Sequence, residues 1–141
     1  MTLLERFRAQ PRQKHTDPAV RLAFVQEVPI SERDVLAEIA REDGDARVRR
    51  AAVAKLLDPA ALASVVRVDS DDAVREQAAA MLRDIALESF EGITEADSLA
   101  AVDALASVAD WKALAAVAKS AASEAVAISA RAHISDQRVL G

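Results

Sequence analysis

Apolar and polar positions along this chain follow a helical period, and the pattern restarts every thirteen residues. Each restart carries a short polar residue: Asp45, Asp58, Asp71, Asp84, Asp97 and Asp110, then Ser123, then Asp136. Asp and Ser are strong helix N-caps, because the side-chain oxygen accepts amide hydrogens that the first turn leaves unpaired. A beat of thirteen holds a helix of roughly ten residues and a tight turn, and two beats make a helical hairpin. The pattern therefore predicts an all-α array of stacked hairpins.

Alternate beats carry different text, so the true period is 26 and the two helices of a hairpin are not equivalent. One class starts at Asp45, Asp71, Asp97 and Ser123. Its stripe runs through Val48, Val74, Ala100 and Val126, then Ala52, Ala78, Ala104 and Ala130, then Leu56, Leu82, Val108 and Ile134. Such offsets place one apolar face along a helix. The other class starts at Asp58, Asp84, Asp110 and Asp136, with Glu32 in the same register, and leads with Leu36, Leu62, Leu114 and Leu140. Aligning residues 36–49 with 62–75 gives seven identities in fourteen positions.

The run Asp-x-x-Val-Arg followed by small residues occurs as DPAVRLAFV at 17, DARVRRAAV at 45 and DDAVREQAA at 71. It resembles the short HEAT-like repeats of phycobilisome-lyase-related proteins, from about Asp17 to Leu140. The opening RFRAQPRQKHTDPAVR also resembles the start of a bacterial family of unknown function. This resemblance implies an α-solenoid, a curved right-handed stack of helix pairs of the kind used as a binding scaffold. The matching arginines stop at Arg21, Arg49 and Arg75, and Ala101 and Ala127 follow, so the C-terminal repeats are degenerate.

A single domain over residues 1–141 is expected, with residues 1–16 forming an N-terminal cap and linker and 17–141 the repeats. Thr2 and Glu5 make a capping box for a short helix over residues 2 to 9, which Pro11 ends. Asp17-Pro18 and Asp58-Pro59 join a cap to the proline favoured at the first helical position. The first unit is longer, 28 residues from Asp17 to Asp45, with its extra turn near Pro29. Around Asp84 the stripe is out of phase, with Glu88, Glu91 and Gly92 in apolar slots, so that helix is expected to be short or rotated. Leu140 falls on a leading slot just before the end of the sequence. The last unit is therefore expected to be truncated, its exposed side covered by further chain or by self-association with a second copy.

Chemistry is sparse. There is no cysteine, and three glycines give no phosphate-cradling loop. His15 and His133 lie far apart without a metal-ligand spacing. The carboxylates follow the capping beat instead of forming an acid-base pair with unequal surroundings. We expect no catalysis, no cofactor and no metal. An apolar run of the roughly 20 residues that cross a bilayer is missing, which points to a cytoplasmic protein.

Arg21, Arg49 and Arg75 follow Asp17, Asp45 and Asp71 by four residues, the spacing of a structural ladder. Arg47, Arg50 and Lys55 are not demanded by the repeat, and with Arg41 and Arg67 nearby they are the candidate partner contacts. Residues 1–75 carry 13 basic and 13 acidic side chains, whereas 76–141 carry 5 and 10, which gives the net charge of −5. The leading expectation is a non-catalytic protein-protein interaction module using the helices that begin at Asp45, Asp71, Asp97 and Ser123. Nucleic-acid binding through Arg47, Arg50, Lys55 and the basic N-terminus is the alternative, and a pigment lyase, which the resemblance would allow, comes last.

Overall fold

The computed structural model describes residues 11–140, with side chains over residues 12–137. Over that span the chain is helical throughout: α1 (Pro18–Glu27), α2 (Arg33–Glu42), α3 (Ala46–Val53), α4 (Pro59–Val68), α5 (Asp72–Ala86), α6 (Glu95–Ser107), α7 (Trp111–Ser120) and α8 (Glu124–Leu140). The predicted helix over residues 2 to 9 falls outside the described residues. The linker after it contains a 3-10 turn at Pro11–Lys14. Arg12 anchors that turn to α1, with Nη1 2.5 Å from Glu27 Oε2 and its guanidinium 5.7 Å from the Phe24 ring centre.

Side chains of Asp17, Asp45, Asp58, Asp71 and Asp110 each accept an amide hydrogen from the first turn that follows, and Ser123 Oγ does so for Val126. Glu32 precedes α2 without such a bond. Three beats do not start helices. Asp84 lies inside α5 and Asp136 inside α8, which runs unbroken through the truncated helix predicted there. Asp97 sits in the first turn of α6, where Thr94 is the cap and the two residues form a reciprocal capping box. An aspartate inside a helix and one at its start look alike to a periodicity; only the local turn separates them.

The core is one continuous cluster. Leu36, Leu62 and Leu114, the leading residues of the second class, are fully buried, as are Val48, Ala52 and Leu56 on α3 and beyond. Val74, Ala78 and Leu82 on α5, with Val126 and Ala130 on α8, complete the predicted stripe. Ala100 breaks it and is exposed, because α6 begins earlier than the beat and turns Ser98, Ala101, Val102 and Leu105 inward. Small residues let neighbouring helices approach closely, so a thin core is filled without aromatic bulk.

Each helix packs against the next but one, which sets α1, α3, α5 and α7 in one row and α2, α4, α6 and α8 in the other. The helix expected at Asp84 is missing. In its place residues 87–94 form a turn with left-handed backbone at Glu88 (φ 59°) and Gly92 (φ 83°), tucking Leu87, Phe90 and Ile93 against the core. With one helix skipped, α6 and α8 run alongside α4, not along the row of α3 and α5. The helices beginning near Asp97 and at Ser123 therefore do not share a surface with those at Asp45 and Asp71, contrary to the sequence expectation. Ala101 and Ala127 stand where the earlier repeats have arginine, and both are buried. An arginine in either place would be driven into the core.

Candidate functional site

The arginine ladder exists, but its carboxylates are not the capping ones. Arg21 Nε and Nη2 donate to Asp43 at 2.9 and 3.2 Å, and Arg49 uses the same fork on Asp69 at 2.9 and 3.1 Å. Asp43 and Asp69 stand two residues ahead of the caps Asp45 and Asp71, whose amides they also accept at 2.9 Å. His15 occupies the equivalent place before Asp17, and its Nδ1 accepts the Asp17 amide. Each arginine also donates Nη1 to a backbone carbonyl six residues earlier: Arg21 to His15, Arg49 to Asp43 and Arg75 to Asp69. One guanidinium thus clamps its own turn and the acid of the next unit. Arg75 has no next unit of that kind, since the skipped helix intervenes, and pairs with Asp72 instead.

Charge and burial reinforce this arrangement. Bonding to Asp43 and to Asp69 raises Arg21 and Arg49 above the ordinary guanidinium value. Burial alone would raise the Asp69 carboxyl, but Arg49 and the Asp71 amide outweigh it and hold the group low. The paired side chains are mostly covered, at 12% exposure for Arg49 and 6% for Asp69. Arg21 and Arg49 pair across units with Asp43 and Asp69, whereas Asp17, Asp45 and Asp71, the partners that the four-residue spacing suggested, serve as caps.

Of the three candidate contact residues, one is removed from the surface. Lys55 turns inward and donates Nζ to the carbonyls of Val25, Gln26 and Val28 at 3.0, 3.1 and 2.5 Å, closing the C-terminal end of α1. Burial lowers its pKa. An ammonium at a helix C-terminus meets three otherwise open acceptors and the negative end of the dipole. Arg47 folds back on its own cap, with Nη2 2.9 Å from Asp45 Oδ2, and this bonding holds the Asp45 carboxyl at about 2. Arg50 is exposed. Arg41 and Arg67 lie on α2 and α4 in the other row, where Arg67 reaches Ser107 Oγ at 3.3 Å. The five cations do not assemble into one basic patch.

The second row instead presents two adjoining grooves. The first, about 420 Å³, runs between the parallel helices α4 and α6 and is floored by Pro59, Ala60, Ala63, Ala100 and Ala104. The second, about 600 Å³, lies between α6 and α8 and is lined by Asp103, Trp111, His133, Asp136 and Gln137. Asp103 and Ser107 border both. His133 Nε2 lies 2.9 Å from Asp103 Oδ1 and ties α8 to α6. An ionised carboxylate only accepts, so Nε2 carries the hydrogen. Trp111 opens α7, packing partly on the core and partly facing the second groove. Residue spacing could not reveal these grooves, because they follow from the exchange of rows at residues 87–94.

No group of three or more His, Cys, Asp or Glu side chains is placed to hold a metal ion among the described residues. No described helix is long and apolar enough to cross a membrane. Comparison with protein-family models, with curated proteins and with solved structures gave no match to this chain.

Proposed function

We propose that the chain is a HEAT-like repeat scaffold that binds a protein partner without catalysis, along the surface formed by α4, α6 and α8. The observation that carries this reading is the pair of adjoining open grooves, one floored by small apolar residues and the other by Trp111 and polar groups. Side chains able to do chemistry elsewhere are engaged in holding the stack together: the ladder arginines, the capping aspartates and Lys55. Shallow apolar ground with a polar border suits a peptide segment or helix from another protein. The partner surface in this reading is the second row, not the basic α3 helix.

Its test is a bait experiment with the whole chain and with Ala100→Arg, which places a long charged side chain over the first groove. We expect the unaltered protein to retain a specific partner from extract and Ala100→Arg to lose it, with thermal midpoints within about 2 °C of each other. Retention by Ala100→Arg but loss by an Arg47/Arg50 double alanine variant would move the contact to α3. A salt-sensitive shift of labelled DNA that depends on Arg50 would favour the nucleic-acid reading.

A further inference from the structure

We infer that the groove between α6 and α8 is a receptor for a cationic side chain, lysine or arginine, presented by the partner segment. This rests on the binding-scaffold reading and adds the chemistry of what is bound. Asp103 and Asp136 supply two carboxylates on facing helices, and Trp111 supplies the one indole in the chain. A cation held over an aromatic face gains from the ring quadrupole, and carboxylates at the border supply charge and direction.

Charge complementarity decides the sign of the guest. Four further grooves each carry a basic side chain: Arg21 beside the 3-10 turn, Arg47 between α1 and α3, Arg49 between α2 and α4, and Arg67 between α4 and α6. Among the described residues, the lining of the α6–α8 groove has neither lysine nor arginine. The surrounding half of the chain is acidic, with 10 carboxylates against 5 cations over residues 76–141. His133 does not fill the cation's role. It lies along the wall and holds one Asp103 oxygen, while the Asp103 side chain keeps 70% of its surface open.

The adjoining α4–α6 groove extends the same site. Small apolar side chains there can take the aliphatic part of a segment whose basic residue crosses the α6 ridge at Asp103 and Ser107. A guest with one basic residue flanked by small or apolar ones fits both halves.

The single tryptophan, in a chain without tyrosine, gives a direct readout. Short alanine-serine peptides carrying a central Arg, Lys, norleucine or Glu are titrated against the whole protein while Trp111 emission is followed. Saturable change with the Arg and Lys peptides alone is the expected result. Asp136→Asn, on an exposed residue, and the Asp103→Asn/Asp136→Asn pair should each weaken it, the pair by about tenfold or more, with circular dichroism unchanged. An equal response to the norleucine peptide, an unaltered response in the double variant, or no saturable response to the Arg peptide overturns the inference. If the bait still retains its partner in any of those cases, the scaffold reading stands and only the cation is lost. Retention abolished by Ala100→Arg and weakened by Asp103→Asn/Asp136→Asn supports both.

Discussion

Ser98 Oγ donates to the Ile85 carbonyl at 2.8 Å, and Ser98 is the one polar residue fully buried among those described. The bond fastens the first turn of α6 to the last turn of α5 at the place where a helix is skipped. Replacing Ser98 by Ala should cost about 1 kcal/mol and accelerate amide exchange near the junction. Unchanged stability would mean that the Glu88 amide, which also reaches Ile85, satisfies the carbonyl by itself.

The junction itself should be the weakest part of the array. Within residues 88–94 the amides of Glu88 and Ser89 bond to the end of α5 and the segment lies outside regular helix, whereas the amides of α3 lie in regular helix. Hydrogen exchange measured by mass spectrometry should show the former labelling well before the latter. Equal protection would show that Leu87, Phe90 and Ile93 anchor the turn as firmly as helix does.

Two helices end on a left-handed residue that is not glycine. At Glu88 (φ 59°) and Ala109 (φ 58°) the next amide reaches back to Asp84 and Leu105, closing α5 and α6. A side chain in that conformation is strained, so Ala109→Gly should stabilise the protein by about 1 kcal/mol. Glu88→Gly should gain more, because Glu88 Oε1 is also buried without a hydrogen-bond partner. Chemical denaturation of both variants checks the sign, and a loss at Ala109 would contradict it.

Removing a rung of the ladder should hurt the fold and spare binding. Arg49→Ala leaves Asp69 with only the Asp71 amide, a loss on the order of 2 kcal/mol for charged hydrogen bonds in a mostly covered pair. Partner retention, compared at temperatures where both proteins are folded, should not change. Lost binding at unaltered stability would place Arg49 in the interface.

Acid should dissolve the same bonds. A carboxyl held below its unfolded value contributes stability that is present above that value, about 3.9, and is lost as pH falls through the folded one. Asp69 is shifted in this direction, and Asp45 is held at about 2. The gap in melting temperature between the natural chain and Asp69→Asn should be widest near neutrality and should close below about pH 4. A gap constant from pH 7 to 3 would show that the pair owes nothing to ionisation.

How far the sequence could be read depended on the range of each signal. Caps are local, so Asp17, Asp45, Asp58, Asp71 and Asp110 could be placed from their own turns. Asp97 misled because its equivalence to the others was numerical; Thr94, three residues earlier, carries the local signal of a capping box. The ladder was legible as a need for charge pairing and illegible in its partners, because Asp43 and Asp69 face the preceding unit across space. For Lys55, a cation in no repeat slot looked free, yet its three acceptors come from a helix end 27 or more residues away. The grooves depended on which helices become neighbours, and no single helix encodes that.

The skipped helix acts on this stack as an antiphase boundary acts in a crystal. Text repeated every 26 residues lies in the row of α3 and α5 before residue 87 and in the row of α4 after residue 94. Averaging such repeats into one consensus would superpose the exposed Ala100 on the buried Val48, Val74 and Val126. A further helix inserted at the boundary should carry α6 and α8 to the row of α3 and α5, and with them the groove that Asp103, Trp111 and Asp136 line.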